Sequence, residues 1–106
     1  MIRRFAMAVL ATAVFALPAV AQSNNPDFRL VNRTGTTINE LYVSSSANAN
    51  WGRDRLGQNV LPSGQSFMVV LPAGQCVNDI RVVFDNGRSQ ERRQVNTCEL
   101  TDVTFQ

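Results

Sequence analysis

The sequence predicts an all-β fold, a small antiparallel β-sandwich of six to seven strands. Short apolar runs rich in Val, Ile, Phe and Thr alternate with polar residues, and turn segments containing Gly, Pro or Asn separate them. After the first 21 residues, no stretch has the spacing of a substantial helix. Half-apolar strands must bury one face, so we expect two packed sheets.

Residues 1–21 have the pattern of a cleaved secretory signal. Arg3 and Arg4 are a short basic region, residues 5–20 are apolar, and Ala19-Val20-Ala21 fits an A-x-A cleavage site. The apolar run is shorter than the ~20 residues of a spanning helix. We therefore expect no membrane span after cleavage, and a periplasmic or secreted protein. The Arg pair leaves general secretion and twin-arginine export both open.

The remaining 85 residues are enough for one small domain. We expect a disordered leader at residues 22–26 and a single domain at residues 27–106. The whole chain has ten Arg and no Lys, and signal cleavage leaves eight Arg against eight acidic residues. A net charge of zero does not indicate a nucleic-acid-binding protein. We expect a monomer.

The first two strands are predicted at residues 27–33 and 36–45. Phe28, Leu30 and Asn32 share one face of the first strand. In the second, the apolar spacing slips from even to odd between Ile38 and Leu41, which indicates a β-bulge.

A long connection at residues 46–64 holds the only Trp, and loops of this length usually carry function or pack on themselves. Further strands are predicted at residues 66–71 and 101–106. Phe67, Val69 and Leu71 alternate with Met68 and Val70 in the first of these.

A hairpin is predicted between residues 77–84 and 89–97. Asn86-Gly87 favours a two-residue type I′ turn, which pairs Phe84 with Ser89 and Asp85 with Arg88. The same register places Cys76 opposite Thr97, beside Cys98, and predicts a Cys76–Cys98 disulfide. Residues 89–94 are polar at every position, which is typical of an edge strand.

The side chains that are missing exclude much catalytic chemistry. The chain has neither His nor Lys, which removes Ser-His-Asp, Cys-His, Ser-Lys and Schiff-base mechanisms. Paired carboxylates can hydrolyse glycosides, but no spacing singles out a pair. We expect that the protein is not an enzyme and has neither catalytic residues nor a cofactor. The carboxylates considered are Asp54, Asp79, Asp85 and Glu99.

A calcium site in the long connection is a second possibility. Asp54 with Asn48, Asn50 and Asn59 could supply oxygen ligands from one loop. A single carboxylate is few for Ca²⁺, and Asn and Asp are common in turns for conformational reasons. We expect no metal, and keep a Ca²⁺-dependent or carboxylate-based enzyme acting through Asp54 as the alternative.

The most distinctive stretch, residues 51–57, allows two interpretations. In the first, Trp51 packs across one end of the sandwich, Asp54 caps a turn and Leu56 enters the core. In the second, Trp51, Arg53 and Arg55 form an interaction patch, since Trp and Arg are enriched at binding hot spots. A Trp51 side chain more than half exposed would favour the patch. The candidate binding residues are Trp51, Arg53, Asp54 and Arg55.

Several short motifs follow one another in a set order along the chain. They are Asn32-Arg33-Thr34-Gly35, Leu41-Tyr42-Val43-Ser44, residues 51–57, Leu61-Pro62-Ser63-Gly64, Cys76 with residues 79–84, and Cys98-Glu99. Taken together, they resemble a family of small exported bacterial β-sandwich domains of unknown function. The resemblance covers about residues 28–106, and the Trp-Gly-x-Asp-x-Leu-Gly loop is its most specific part.

The resemblance implies an all-β sandwich and no particular activity. Proteins similar to this one sometimes carry the label argininosuccinate lyase. That lyase is a large, mostly helical tetramer whose site uses His, Lys and Ser, and this short chain without His or Lys does not fit it. We expect a non-catalytic binding or structural domain, whose partner is a protein or an envelope component.

Overall fold

The computed structural model describes residues 23–106, and the predicted signal peptide at residues 1–21 lies outside this range. Six strands and no helix are present among the described residues, which confirms the all-β prediction. No helix within that range is long and apolar enough to cross a membrane. The strands are β1 (Phe28–Asn32), β2 (Ile38–Ser45), β3 (Ser66–Val69), β4 (Val77–Phe84), β5 (Ser89–Asn96) and β6 (Asp102–Phe105).

The strands form two three-stranded sheets. The first sheet has the order β3-β1-β6 and the second the order β2-β4-β5. Strands β1 and β3 are antiparallel, as are both pairs of the second sheet. Strands β1 and β6 are parallel, contrary to the expectation of antiparallel pairing throughout. Because β1 and β6 lie far apart along the chain, no hairpin turn fixes their relative direction.

One apolar core lies between the two sheets. The alternating inward residues of both sheets belong to a single buried cluster, as expected for a sandwich. Strand β5 contributes only the partly buried Val95. The cluster takes Phe28, Leu30, Val69, Val103 and Phe105 from the first sheet and Ile38, Leu41, Val43, Ile80, Val82 and Phe84 from the second.

Part of the predicted leader belongs to the domain. Pro26 is fully buried, and the Asn24 carbonyl accepts a hydrogen bond of 2.9 Å from the Gly74 backbone N–H. The prediction of a disordered leader at residues 22–26 is therefore wrong from Asn24 onward. Its polar composition gave no sign of these contacts, since they are made by the backbone and by one proline ring.

Buried Asn32 joins the end of β1 to the following turn. Its amide nitrogen donates to the carbonyls of Thr36 and Leu61 at 2.8 and 2.9 Å. Its amide oxygen accepts from the Thr34 backbone N–H at 3.1 Å. These bonds explain how a polar side chain occupies an inward position of β1, because a buried amide is costly unless it is paired.

The predicted bulge in β2 is confirmed. Ile38 lies opposite Phe84, but Glu40 lies opposite Val83, so β2 has an extra residue in this interval. The bulge explains the slip in apolar spacing, because both Ile38 and Leu41 are fully buried.

The turn between β4 and β5 has three residues, and the type I′ prediction is wrong. Gly87 has φ of +85°, but Asn86 does not have positive φ, which a type I′ turn would need. The Gly87 N–H donates to the Phe84 carbonyl at 2.9 Å, and the Phe84 N–H donates to the Arg88 carbonyl at 2.8 Å. This pattern is that of a type I turn followed by a left-handed glycine. Phe84 therefore pairs with Arg88, and Ser89 pairs with Val83.

A bulge further along β5 restores the predicted register at the cysteines. Ile80 pairs with Arg92 but Asn78 pairs with Val95, so β5 gains one residue over β4. The Thr97 N–H then donates to the Cys76 carbonyl at 2.8 Å. The disulfide between Cys76 and Cys98 is present, with Cα atoms 5.0 Å apart, which confirms that prediction. Strand β5 is an edge strand, also as predicted.

Candidate functional site

The long connection between β2 and β3 packs along the open edge of β2. The Arg55 N–H donates to the Leu41 carbonyl at 2.6 Å, and Leu61 exchanges two backbone hydrogen bonds with Ile38 at 2.8 and 2.9 Å. These bonds occupy backbone groups of β2 that would otherwise be open to another chain. The connection therefore covers one edge of the second sheet.

Asp54 holds this connection in place. Its Oδ1 accepts 2.9 Å hydrogen bonds from the backbone N–H groups of both Leu41 and Leu56. The bond to Leu56 is the predicted cap, and the bond to Leu41 anchors the connection on β2. Leu56 is buried in the core, as predicted. Gly52 and Gly57 have φ of +79° and +61°, a region that other residues adopt at a cost.

Trp51 packs against the second sheet through Arg93, an arginine outside the four candidate binding residues. Trp51 is less than half exposed, and the Arg93 guanidinium of β5 lies 4.9 Å from the centre of its ring. A guanidinium over an indole at this distance is a cation–π contact. Because Trp51 is not more than half exposed, a packing role is favoured over an interaction patch.

Arg93 also belongs to a polar network on the outer face of the second sheet. It contacts Asp79 at 3.0 Å and Glu91 at 2.8 Å, and Glu91 contacts Arg81 at 3.4 Å. Asp79 further accepts the Gln94 N–H at 2.9 Å and the Ser46 hydroxyl at 2.7 Å. These contacts lower the pKa of Asp79, chiefly through the Gln94 N–H and then through Ser46, with Arg93 adding to them against the opposing effect of burial.

A shallow groove runs between the connection and β3. We call it the β3 groove, and it is lined by Arg53, Arg55, Phe67, Met68, Val69 and Val70. Met68 and Val70 are 55% and 66% exposed, which is unusual for neighbouring apolar side chains. The groove thus combines an exposed apolar strip with two guanidinium groups.

Neither arginine of the β3 groove has an acidic partner within residues 23–106. Arg29, Arg81 and Arg93 form ion pairs there, but Arg53 and Arg55 form none. The Arg55 guanidinium donates to the Val70 carbonyl at 3.2 Å. Its pKa is lowered, first by partial burial and then by the like charge of Arg53. Two cations that disfavour each other create a site where an anion would be stabilised.

The four predicted binding residues therefore divide into two groups. Arg53 and Arg55 line the same groove, whereas the aromatic ring of Trp51 pairs with Arg93 on the second sheet. Asp54 uses its carboxylate to fasten the connection. Trp51 and Asp54 thus position the segment that presents the two arginines.

The other carboxylates considered as candidates do not converge. Asp79 lies in the network with Arg93, while Asp85 and Glu99 are exposed. Within the described range, no cluster of three or more His, Cys, Asp or Glu side chains is arranged to hold a metal ion.

Sequence reasoning missed the apolar half of the β3 groove, although a signal was present. Residues 67–71 are apolar at every position, whereas a strand with one solvated face should alternate with polar residues. Met68 and Val70 occupy the face that should have been polar. Apolar side chains on both faces of this strand indicate that its outer face contacts something other than water.

In comparisons with known proteins, no family model matches this chain, and neither a curated protein nor a solved structure shows significant similarity to it. The resemblance to exported bacterial sandwich domains stays a prediction based on the sequence motifs.

Proposed function

We propose that this chain is an exported, single-domain binding protein without catalytic activity, and that it binds a protein or an envelope component in the β3 groove. The observation that carries the proposal is the pair Arg53 and Arg55, without acidic partners in residues 23–106, beside the exposed Met68 and Val70. Arginines next to apolar side chains are the composition of interaction hot spots.

The proposed location is periplasmic or secreted. The Cys76–Cys98 disulfide supports an oxidising compartment, because such bonds are rare in proteins kept in a reducing cytosol. The signal-like pattern of residues 1–21 supports the same location, and in that case the functional protein begins near Gln22.

A site-specific photocrosslinker tests the proposal in cells that make the protein. We expect a crosslinker at Met68 to capture a discrete partner, and one at Leu100 to capture none. Leu100 is a suitable control because it is 46% exposed, compared with 55% for Met68, and does not line the groove. The Arg53→Glu variant should lose the Met68 crosslink, whereas Arg88→Glu should keep it.

Two results would refute this assignment. Equal capture from Met68 and Leu100 would mean that the contacts are nonspecific. No capture from Met68 in the correctly exported and oxidised protein would favour a purely structural domain. Circular dichroism on each variant ensures that a lost crosslink does not reflect unfolding.

A further inference from the structure

The outer edge of β3 has backbone groups without partners in its own sheet. The Asn32 N–H donates to the Gln65 carbonyl at 3.0 Å, so residues 65, 67 and 69 direct their backbone groups toward β1. Antiparallel pairing alternates, and Ser66, Met68 and Val70 therefore direct theirs away from the sheet. Within residues 23–106, the Val70 carbonyl accepts a hydrogen bond from the Arg55 guanidinium. No backbone group of that range bonds to Met68 on the side that faces away from β1.

Both edges of the second sheet are protected in ways that β3 is not. The connection hydrogen-bonds along β2, and β5 carries Glu91, Arg92 and Arg93. Charges and covering loops are the usual means of preventing strand addition. Strand β3 has the sequence Ser-Phe-Met-Val, with no charged residue and no proline. It is short, but otherwise its edge is open to another extended segment.

The two arginines determine which segment would fit. A strand laid along β3 would lie in the groove that Arg53 and Arg55 line. Side chains of an added strand alternate between the two faces of the sheet, so every second residue lies on the same face as Met68. Acidic side chains on such a segment would supply the negative charge that the two arginines lack within the described chain.

We propose that the β3 groove binds an extended acidic peptide segment of a partner protein, which adds to β3 as a fourth strand of the first sheet. This inference rests on the proposed function, because it names the partner class of the same groove. Backbone hydrogen bonds to Ser66 and Met68 would supply affinity, as in other cases of strand addition. Carboxylates near Arg53 and Arg55 would supply selectivity.

Two other occupants fit less well. A second copy paired edge to edge would bring another Arg53 and Arg55 to the same place, and four like charges would oppose association. Residues 1–22 contain two arginines and no Asp or Glu, so this segment lacks the negative charge that would complement Arg53 and Arg55.

A displayed library of random octapeptides, selected against the purified oxidised protein, tests this proposal. Selected peptides should be enriched in Asp and Glu and depleted in Pro, Lys and Arg. Proline is informative because it has no N–H to donate to the edge of β3. A synthetic peptide with a selected sequence should bind wild type at least tenfold more tightly than Arg53→Glu, and within twofold of Arg88→Glu.

A second measurement separates strand addition from simple anion binding. Bound peptide should slow hydrogen exchange of the Met68 amide. N-methylation of the peptide backbone at every second residue can be placed at the odd or at the even positions, and one of these two peptides should bind at least tenfold more weakly, because only one set of N–H groups faces β3. Acidic peptides that bind through Arg53 without either effect would overturn strand addition and leave the β3 groove as a binding surface. Selected peptides that are not acidic would overturn the assigned chemistry.

Two further outcomes distinguish failure of the peptide inference from failure of the proposed function. If no selected peptide loses affinity with Arg53→Glu, the inference fails, whatever the photocrosslinking experiment shows. If peptides bind as expected but Met68 captures no partner in cells, the groove can bind strands and the proposed function is wrong.

Discussion

The Asp79 carboxylate on β4 accepts a hydrogen bond of 2.9 Å from the backbone N–H of Gln94 on β5. Among the described residues, Gln94 is the one non-glycine with positive φ, at +56°. The carboxylate thus stabilises the conformation that forms the β5 bulge. Without this bulge, the register near the turn would place Asn96 opposite Cys76. The bulge brings Thr97 there instead, with Cys98 next in the chain.

Replacing Asp79 by Ala should therefore destabilise the fold. The variant loses an acceptor for Gln94, Ser46 and Arg93, and the expected loss in the free energy of unfolding is on the order of 2 kcal/mol. Urea unfolding at neutral pH measures it. Asp85→Ala is the matched control, because this exposed carboxylate accepts no side-chain hydrogen bond within the described range, and a loss as large as that of Asp79→Ala would contradict the explanation.

The same carboxylate predicts a pH dependence. Its pKa is lower in the folded protein than its usual value near 3.8, so its contribution is complete above that value and is lost as pH falls through the lower, folded pKa. Asp102, paired with Arg29, acts in the same direction. Wild type should lose stability below about pH 4, and Asp79→Asn should show a weaker dependence there. Identical acid unfolding curves would exclude Asp79 as a source.

Removal of the disulfide should lower stability only under oxidising conditions. The Cys76→Ser/Cys98→Ser double variant avoids a stray thiol and should be less stable by about 3 kcal/mol, given the length of the closed loop. Reductant should bring wild type to the level of the variant. Thermal melts with and without reductant measure this, and equal melting of the two oxidised proteins would refute it.

The turn between β4 and β5 should tolerate substitution at Asn86 better than at Gly87. Gly87→Val forces a β-branched residue into left-handed φ, which should cost about 2 kcal/mol. Asn86→Val should cost about half as much, because Asn86 has no positive φ and the main loss is its hydrogen bond to the Arg88 N–H. In a type I′ turn both substitutions would be equally harmful. Equilibrium unfolding of the two variants distinguishes the turns.

Asp54→Ala should loosen the connection, with an expected loss of about 2 kcal/mol, because two backbone N–H groups lose their acceptor. Asp54→Asn keeps an oxygen at the same position and should be milder. Added Ca²⁺ or chelator should leave the melting temperature of wild type unchanged. A rise with Ca²⁺ that Asp54→Ala lacks would instead support the calcium-dependent alternative.

Local patterns predicted much of this fold. Alternation alone identified the inward face of β1, and the broken alternation at Ile38 and Leu41 identified a bulge. A fully polar run identified β5 as an edge strand. These features depend on the side-chain period of a strand, which short sequence segments record directly.

Features that depend on distant contacts could not be predicted in this way. Asn-Gly suits both two- and three-residue turns, and here the Asp85 N–H bonds to the Thr37 carbonyl, well outside the hairpin. The candidate site shows the same limit. The sequence singled out Arg53 and Arg55, but only the packing of the connection against β3 places them beside Met68 and Val70.

The parallel pairing of β1 with β6 affects how the domain can fold. Strand β1 depends on a strand far along the chain, since Asn32 of β1 lies opposite Phe105 of β6. A chain that emerges from its N-terminus, whether from a ribosome or from a translocation channel, cannot complete this sheet before Phe105 is free. In such a late-closing topology, loss of β6 would leave β1 paired with β3 alone, so a truncation within β6 would affect the sheet as a whole.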